Sequence, residues 1–202
     1  MIITRIELYK GNRYKIFGED GYLFSLYKKE LTQFNIEEGL FLDDSVVSRI
    51  YDEVIFKRSK ERALYLLDRQ PYSSASLRRK LVSSGTPECI ADRVVDFLKE
   101  YHYLDDEEYV ALFVDSNSHR KSKRQMVSDL LAKGIDKQLI DSFFDEYDTF
   151  DCLERECFLH KFNKYTKGKD INDIRIKQKV FRYFYGKGFS VELINEALEH
   201  NR

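Results

Sequence analysis

Two cysteines and a histidine form the one local group of residues whose types suit a metal ion. Cys152 and Cys157 are separated by four residues, and His160 follows after two more. On a helix, Cys157 and His160 would share a face, because residues three apart are neighbours there. A tetrahedral site needs four ligands, and no second Cys-x2-Cys pair or distal histidine pair completes this one. We therefore interpret the cysteines as core residues and expect neither a metal nor another cofactor.

The sequence signatures of catalysis are missing. The segments Gly18–Gly21 and Gly186–Gly188 match neither the Walker pattern nor the dinucleotide-binding pattern, so both are predicted to be turns. The four histidines lie far apart in the sequence, and no Gly-x-Ser-x-Gly occurs. The acidic run Asp105–Glu108 stands at a predicted helix start, where carboxylates complement the helix dipole. The sequence thus predicts a protein that is not an enzyme.

Three clusters of lysine and arginine are better candidates for a functional surface. The first basic cluster is Arg78, Arg79 and Lys80; the second is Arg120, Lys121, Lys123 and Arg124; the third is Arg175, Lys177, Lys179 and Arg182. Charged helix surfaces are often merely solvated, but these cations recur at or just before the middle helix of three similar units. Such recurrence favours a discontinuous positive strip that faces a phosphate backbone or an acidic protein groove.

The whole chain is nearly neutral, although its segments are not. It has 202 residues, with 34 basic and 35 acidic side chains, and hence a net charge of −1. Residues 58–104 and 149–202 each carry +3, whereas residues 1–57 carry −2 and residues 105–148 carry −5. The neutral total argues against bulk attraction to nucleic acid but leaves room for local basic strips.

The cysteines are odd in number, three, and we expect reduced thiols in a cytoplasmic protein. The sequence shows no signal-peptide pattern and no run of about 18 apolar residues, so we expect no membrane segment.

The first segment is predicted to form strands. Residues 2–9 alternate, with the even-numbered side chains on one face, and residues 13–17 and 22–26 follow after turn-forming glycines. We predict a three-stranded antiparallel meander, covered on its apolar face by a short helix over residues 28–34. The run from Asp43 to Ser45 is typical of the N-cap of a helix that begins near Val46.

From about residue 45 onward, apolar residues recur every three or four positions, which predicts helices. This part of the sequence contains a pattern that occurs three times. Gly85, Gly134 and Gly188 each have apolar residues eight and four positions before them and five and nine positions after them. Each glycine is predicted to end one helix in the left-handed conformation. The next helix is predicted to begin on Thr86 with Pro87, on Asp136 or on Ser190. Preceding helices over about 59–69, 105–118 and 150–165 complete three-helix units.

The predicted fold is mainly α: three tandem three-helix, helix-turn-helix-like repeats in an elongated, curved array, preceded by a small antiparallel β-meander. The predicted parts are the β-rich extension 1–44, a linking helix with the first repeat 45–104, the second repeat 105–148 and the third repeat 149–202. An elongated monomer would have a radius of gyration above the value of about 17 Å for a compact chain of this length.

Residues of the first repeat resemble the RecX family. Ala63–Leu67 is similar to its "A..LL" helix, Leu77–Leu81 to its "S..ELR.KL" helix, Gly85 to its turn glycine and Tyr103–Tyr109 to its "GYLND..FA" junction. The resemblance continues in order through the basic stretch and covers about residues 58–200. The strand-rich start resembles the N-terminal extension of RecX proteins of Gram-positive type.

Three positions depart from the family pattern. Ser76 stands where glutamate is usual, which removes part of a capping box from Ser73. His102 and Ser122 each stand where the family favours glycine. The change at Ser122 concerns the basic turn of the second repeat.

The resemblance implies a non-enzymatic regulator of the RecA recombinase in homologous recombination, DNA repair and the SOS response. RecX proteins bind RecA and its filament on single-stranded DNA and modulate, usually inhibit, its ATPase and strand exchange. The implied partners are RecA, its nucleoprotein filament and, weakly and without sequence preference, single-stranded DNA, with the protein a monomer. The residues leave open whether RecA is inhibited or stimulated and which basic cluster contacts DNA.

A helix-turn-helix DNA-binding transcription regulator is the alternative, because tandem helix–turn–helix units also occur in that class. Such a protein would place one helix per unit in the major groove and would usually be dimeric. Three unequal units and the net charge of −1 count against it.

Overall fold

The computed structural model describes residues 1–147 and 149–200, and it forms two compact units, Met1–Asp105 and Asp106–Arg202. The first unit contains, in order, β1 Ile3–Lys10, β2 Arg13–Gly18, β3 Gly21–Tyr27, α1 Lys28–Gln33, α2 Asp44–Arg49, a π-helical stretch Ile50–Phe56, α3 Lys57–Leu67, α4 Ser74–Ser83 and α5 Glu88–Glu100. The second contains α6 Asp106–Asn117, α7 Lys123–Ala132, α8 Lys137–Glu146, α9 Phe150–Thr166, α10 Ile174–Gly186 and α11 Val191–His200. The predicted fold class, mostly helical after a small antiparallel sheet, is confirmed.

The sheet is the predicted meander, with strand order β1-β2-β3. Ile6, Ile16 and Phe24 lie opposite one another across the three strands and face the core. Strict alternation along β1 is wrong, because a register shift between Ile3 and Arg5 turns the strand over. Ile3 is fully buried and Ile6 is partly buried against the same core. An odd-numbered and an even-numbered residue of β1 therefore face the same side.

The helix predicted to begin near Val46 begins two residues earlier. Asp43 is its N-cap, and its side chain accepts a hydrogen bond from the Ser45 amide at 2.9 Å. The helix does not stop before the first repeat: α2, the π-helical stretch and α3 run on without a break in helical backbone. Ile50 and Ile55 of the π-helical stretch join a core that also holds Phe24 of the sheet and Leu77 of α4. The sheet and the first three-helix repeat thus share one core.

The second unit contains two aromatic-rich core clusters. The cluster of α6, α7 and α8 includes Val110, Met126, Leu130, Ile140 and Phe144. The cluster of α9, α10 and α11 includes Phe158, Phe162, Val180, Phe184 and Ile194. These side chains recur at the three- and four-residue spacing of an amphipathic helix. No helix of the described residues is long and apolar enough to cross a bilayer.

The three repeat glycines have the predicted left-handed backbone, with φ of +90° at Gly85, +81° at Gly134 and +84° at Gly188. Each closes the middle helix of its repeat, so the last helix starts within a few residues. Two of the predicted caps are confirmed. Asp136 accepts a hydrogen bond from the Gln138 amide at 2.7 Å, and the Ser190 hydroxyl accepts one from the Leu193 amide at 3.2 Å.

The predicted cap at Thr86 is wrong. Pro87 is the N-cap of α5 and makes no side-chain cap bond. Thr86 is buried instead, and its hydroxyl lies 3.0 Å from the hydroxyl of Ser59 on α3. The Thr86 hydroxyl is therefore engaged with Ser59 and does not cap the helix start.

Candidate functional site

The third basic cluster lies on α10, a helix without a single acidic residue. Arg175, Lys179 and Arg182 are exposed and follow one another at spacings of four and three, so they occupy one face of the helix. Asp173 caps the helix by accepting a hydrogen bond from the Arg175 amide at 2.7 Å. Among the described residues, no carboxylate forms an ion pair with these three cations. Their charge is therefore available to an external partner.

Exposed tyrosines flank this basic face. Tyr183 and Tyr185 on α10 are 43% and 50% exposed. Tyr183 stacks on Tyr165 of α9 with 4.3 Å between the ring centroids, and Lys169 Nζ lies 3.3 Å from the Tyr165 centroid. Aromatic faces beside cations suit unpaired nucleic-acid bases next to their phosphates.

Lys177 belongs to a different part of the α10 surface. It is only half-exposed and, with Phe181 and Leu198, lines a cavity of about 460 Å³ between α10 and α11. The predicted third cluster is therefore divided between an exposed face and the rim of an apolar cavity.

The second basic cluster is also divided. Arg120 and Arg124 are exposed, as expected. Lys121 Nζ lies 2.7 Å from an Asp129 carboxylate oxygen, and Lys123 Nζ lies 5.0 Å from the centre of the Phe144 ring. The expectation that all four side chains are free surface cations is wrong for these two lysines, because each is half-buried against its own repeat.

The turn that carries this cluster is attached to the third repeat. Ser122 is fully buried, caps α7 and donates its hydroxyl to the Lys187 carbonyl at 2.7 Å. The Lys123 amide donates to Glu154 Oε1 at 2.7 Å, and Lys161 Nζ donates to the Arg120 carbonyl at 2.7 Å. Ser122, a departure from the family pattern, is thus a structural contact. The turn has an internal role in the second unit besides presenting Arg120 and Arg124.

The first basic cluster contains one cation that is neutralised within the repeat. Arg78 pairs with Asp92 and, at 3.0 Å, with Glu88, both on α5. These hydrogen bonds raise the pKa of Arg78 and lower the pKa of Asp92. Arg79 is exposed and donates to the Ser76 hydroxyl at 3.1 Å, and Lys80 is exposed. Arg78 therefore fastens α4 to α5, and Arg79 and Lys80 are the members that face solvent.

The candidate metal ligands are not brought together. Cys157 is buried in the core, and burial raises the pKa of its thiol, whereas Cys152 and His160 are exposed. Within the described residues, no three side chains of metal-binding type converge. The interpretation as core residues is confirmed for Cys157 and is wrong for Cys152, whose side chain is exposed.

Three further arginines line one cavity in the first unit, and the sequence reasoning did not identify them. Arg13 comes from β2, and Arg58 and Arg62 come from α3. The spacing of four between Arg58 and Arg62 is visible in the sequence and places them on one helix face. Arg13 joins them only through the tertiary fold, so no local pattern could have indicated the cavity.

Two family models of three-helix domains match helical segments of this chain. The family model described as RecX, first three-helix domain, matches residues 60–98, and that for the third three-helix domain matches residues 160–198. A Regulatory protein RecX of Bacillus subtilis (strain 168) is 30% identical over 203 residues, spanning 98% of this chain and 76% of the relative. The chain belongs to the RecX family.

Other RecX proteins are similar over most or nearly all of this chain. The Regulatory protein RecX of Clostridioides difficile (strain 630) is 29% identical over 201 residues, spanning 98% of this chain and 94% of the relative. A crystal structure of a regulatory protein RecX has a TM-score of 0.61 at 25% identity and covers 96% of this chain and 97% of its own. The crystal structure of RecX from Lactobacillus salivarius has a TM-score of 0.63 at 20% identity over 72% of this chain and 95% of its own, and shows the shared fold.

The matched domains contain two of the three basic clusters. The first cluster falls within the first RecX domain and the third cluster within the third RecX domain. The relatives carry the name of a regulatory protein, so the chain belongs to a family of regulators.

Proposed function

We propose that this RecX-family protein binds the RecA recombinase and its filament on single-stranded DNA and lowers the filament's ATPase and strand-exchange activity. It acts without catalysis of its own, as a monomer, in homologous recombination, DNA repair and the SOS response. The family membership supports the regulatory role. The observation that carries the contact with the filament is the acid-free basic face of α10, formed by Arg175, Lys179 and Arg182.

The distribution of charge disfavours the alternative of a duplex-reading transcription regulator. In a helix-turn-helix protein, the helix after the tight turn enters the major groove and contacts base edges. Here that helix is acidic in every repeat: α5 has four acids and two bases, α8 has three acids and one base, and α11 has three acids and no lysine or arginine. Phosphates on both sides of the groove would repel these helices.

A nucleoprotein filament fits the same charge pattern. It presents DNA phosphates beside protein surfaces, so a binding partner benefits from separate basic and acidic faces. The middle helices of the repeats and the turn before α7 supply the basic faces. Their further exposed members are Arg79, Lys80, Arg120 and Arg124. We assign the α10 face to the DNA phosphates, because exposed tyrosines accompany its cations.

The test is the ATPase activity of RecA on single-stranded DNA, titrated with the protein. Wild type is expected to inhibit it. The triple variant Arg175→Gln, Lys179→Gln, Arg182→Gln is expected to need several-fold more protein for the same inhibition, since each lost phosphate contact weakens the complex. The matched control removes three exposed lysines from elsewhere, as Lys10→Gln, Lys57→Gln, Lys137→Gln, and is expected to retain wild-type potency.

Two results would contradict the proposal. Unchanged potency of the triple variant across salt concentrations would remove the α10 face from the interface. No effect of wild type on RecA, together with a footprint on one duplex sequence, would support the transcription regulator instead.

A further inference from the structure

A cavity in the first unit gathers more positive charge than its surroundings neutralise. Its volume is about 300 Å³, and its lining includes Arg13 of β2, Arg58 and Arg62 of α3, and the turn from Ser84 to Thr86. The meander and the first three-helix repeat form it together, and its cations are distinct from the three basic clusters discussed above.

Only one of the three guanidinium groups is matched by a carboxylate. Arg58 Nη1 lies 3.0 and 3.1 Å from the two carboxylate oxygens of Glu30, and its Nη2 donates to the Ser25 carbonyl at 2.6 Å. Within the residues that the structure describes, neither Arg13 nor Arg62 forms an ion pair. Among the described residues, two of the three guanidinium groups therefore have no carboxylate partner: that of Arg13, which is partly buried, and that of Arg62, which is exposed at the rim.

Arg13 contains a buried donor without an acceptor. Its Nε is shielded from solvent and has no hydrogen-bond partner among the described residues. A buried N–H that makes no hydrogen bond costs free energy, and nearly all such groups in native proteins are paired. An anion in the cavity would supply the missing acceptor.

The Arg13 side chain lies beside the tight turn that follows α4. A Cβ atom at Gly85 would lie 3.5 Å from Arg13 Nη2, an ordinary contact distance, so the guanidinium group is next to the turn. The glycine itself is favoured by its left-handed backbone, with φ of +90°. Beside it, the hydroxyls of Ser59 and Thr86 lie 3.0 Å apart and both residues line the cavity. Their mutual hydrogen bond uses one hydroxyl proton and leaves the other for an acceptor.

We propose that this cavity binds a phosphate group. A planar carboxylate is satisfied by one guanidinium, as Glu30 is by Arg58, whereas the oxygens of a phosphate point out of a single plane and take donors from several directions. Arg13, Arg62 and the hydroxyl pair approach from two elements and a turn, which suits the tetrahedral group. The phosphate belongs either to a nucleic-acid backbone or to a free phosphate compound. The site is independent of the proposed contact with RecA, since none of its residues belongs to the basic clusters.

The experiment observes the arginine Nε–H signals of the full chain by ¹H–¹⁵N NMR during titration with inorganic phosphate, at an ionic strength held constant with chloride. The Arg13 signal, assigned by its loss in Arg13→Gln, is expected to shift and saturate. Arg62→Gln is expected to weaken phosphate binding by about tenfold, the effect of one charge-assisted hydrogen bond. The control Arg69→Gln removes another exposed arginine, just beyond the end of α3, and is expected to bind as wild type does.

Parallel titrations distinguish the sources and the competing class of ligand. Saturable shifts with inorganic phosphate and with oligothymidylate, both lost in Arg62→Gln, support a site for backbone phosphates; shifts with phosphate alone support a site for a free phosphate compound. A stronger response to a glutamate-rich peptide, or no saturable shift of Arg13 with any phosphate, overturns the proposal. These measurements contain no RecA, so their failure and the failure of the filament proposal are separate results.

Discussion

Glu154 brings a carboxylate into the junction between the second and third repeats. Burial raises its pKa from the ordinary value of 4.5, and the hydrogen bond from the Lys123 amide opposes this shift. The folded chain then retains a proton where the unfolded chain has released it. The free energy of unfolding therefore falls as pH rises from about 4.5 through the raised pKa of the folded state.

Replacement of this carboxylate tests the pH dependence. We expect Glu154→Gln to raise the melting temperature at pH 7, because the amide oxygen can still accept from Lys123 without a buried charge. Below pH 4.5 the gain should disappear, since the wild-type carboxyl is then protonated in both states. Thermal denaturation between pH 3.5 and pH 8 measures both effects. The ionic strength is held constant, because salt screens charge interactions. The control Glu156→Gln, at an exposed position of the same helix, should show no such trend.

Gly188 combines a left-handed backbone with a close neighbour. Its φ is +84°, and a Cβ atom would lie 2.8 Å from Ser122 Oγ. Gly188→Ala should therefore cost about 1–2 kcal/mol for the backbone and about 1–3 kcal/mol more for the overlap. Gly168 also has a positive φ, +77°, but open space around its Cα, so Gly168→Ala should show the backbone cost alone. Urea denaturation of the two variants gives the difference, and equal losses would contradict the close contact.

At the level of the helices, each repeat separates its charges by element. The middle helices α4, α7 and α10 carry more lysine and arginine than acidic residues, while the last helices α5, α8 and α11 carry an excess of carboxylates. Within the first repeat, Arg78 joins the two kinds of helix through Glu88 and Asp92. Exposed ion pairs of this kind contribute little to stability, so we expect the loss of the Arg78 pairs to change the free energy of unfolding only slightly.

Two adjacent leucines on α7 test the packing of the middle helix. Leu130 is fully buried, whereas its neighbour Leu131 is 44% exposed. Leu130→Ala should cost about 2–5 kcal/mol through a core cavity. Leu131→Ala should change the free energy of unfolding by about 0.5 kcal/mol or less. Similar losses for both, measured by chemical denaturation, would show that the helix is rotated from the position described.

The elements that local patterns specify were predictable from the sequence. The helix-closing glycines, the meander and the caps at Asp136 and Ser190 follow from spacing and turn chemistry. The shift between Ile3 and Arg5 and the unbroken helix through Ile50 were not, because they depend on how the sheet packs against the helices. The same holds for Thr86, whose hydroxyl faces Ser59 from a distant part of the sequence.

At the level of the whole molecule, a nearly neutral chain should bind single-stranded DNA weakly and through local charge. We expect affinity to fall steeply with salt and to vary little with sequence. The triple variant Arg175→Gln, Lys179→Gln, Arg182→Gln should reduce the slope of log affinity against log salt by about 2, at roughly 0.7 per lost phosphate contact. Fluorescence anisotropy of a labelled oligonucleotide from 50 to 200 mM salt, about the range over which such binding collapses, measures the slope. An unchanged slope would mean that these cations do not contact phosphates.

Sequence reasoning predicted the cations of the candidate surface but not which of them are available. Arg78 and Lys121 looked equivalent to their neighbours, and only the fold shows that carboxylates on other turns and helices neutralise them. The cavity of Arg13, Arg58 and Arg62 was invisible for the same reason, since strand and helix meet there only after folding.

The distribution of the cysteines makes the native chain suitable for site-specific labelling. Cys89 is exposed in the first unit and Cys152 is exposed in the second, while Cys157 lies in the core. A maleimide reagent should modify the first two rapidly and reach Cys157 only on unfolding, because both burial and its raised thiol pKa suppress the reactive thiolate. A donor and an acceptor dye on Cys89 and Cys152 would allow energy transfer to be measured without introducing a new cysteine. The energy transfer between them would report how the spacing of the two units responds when a binding partner is added.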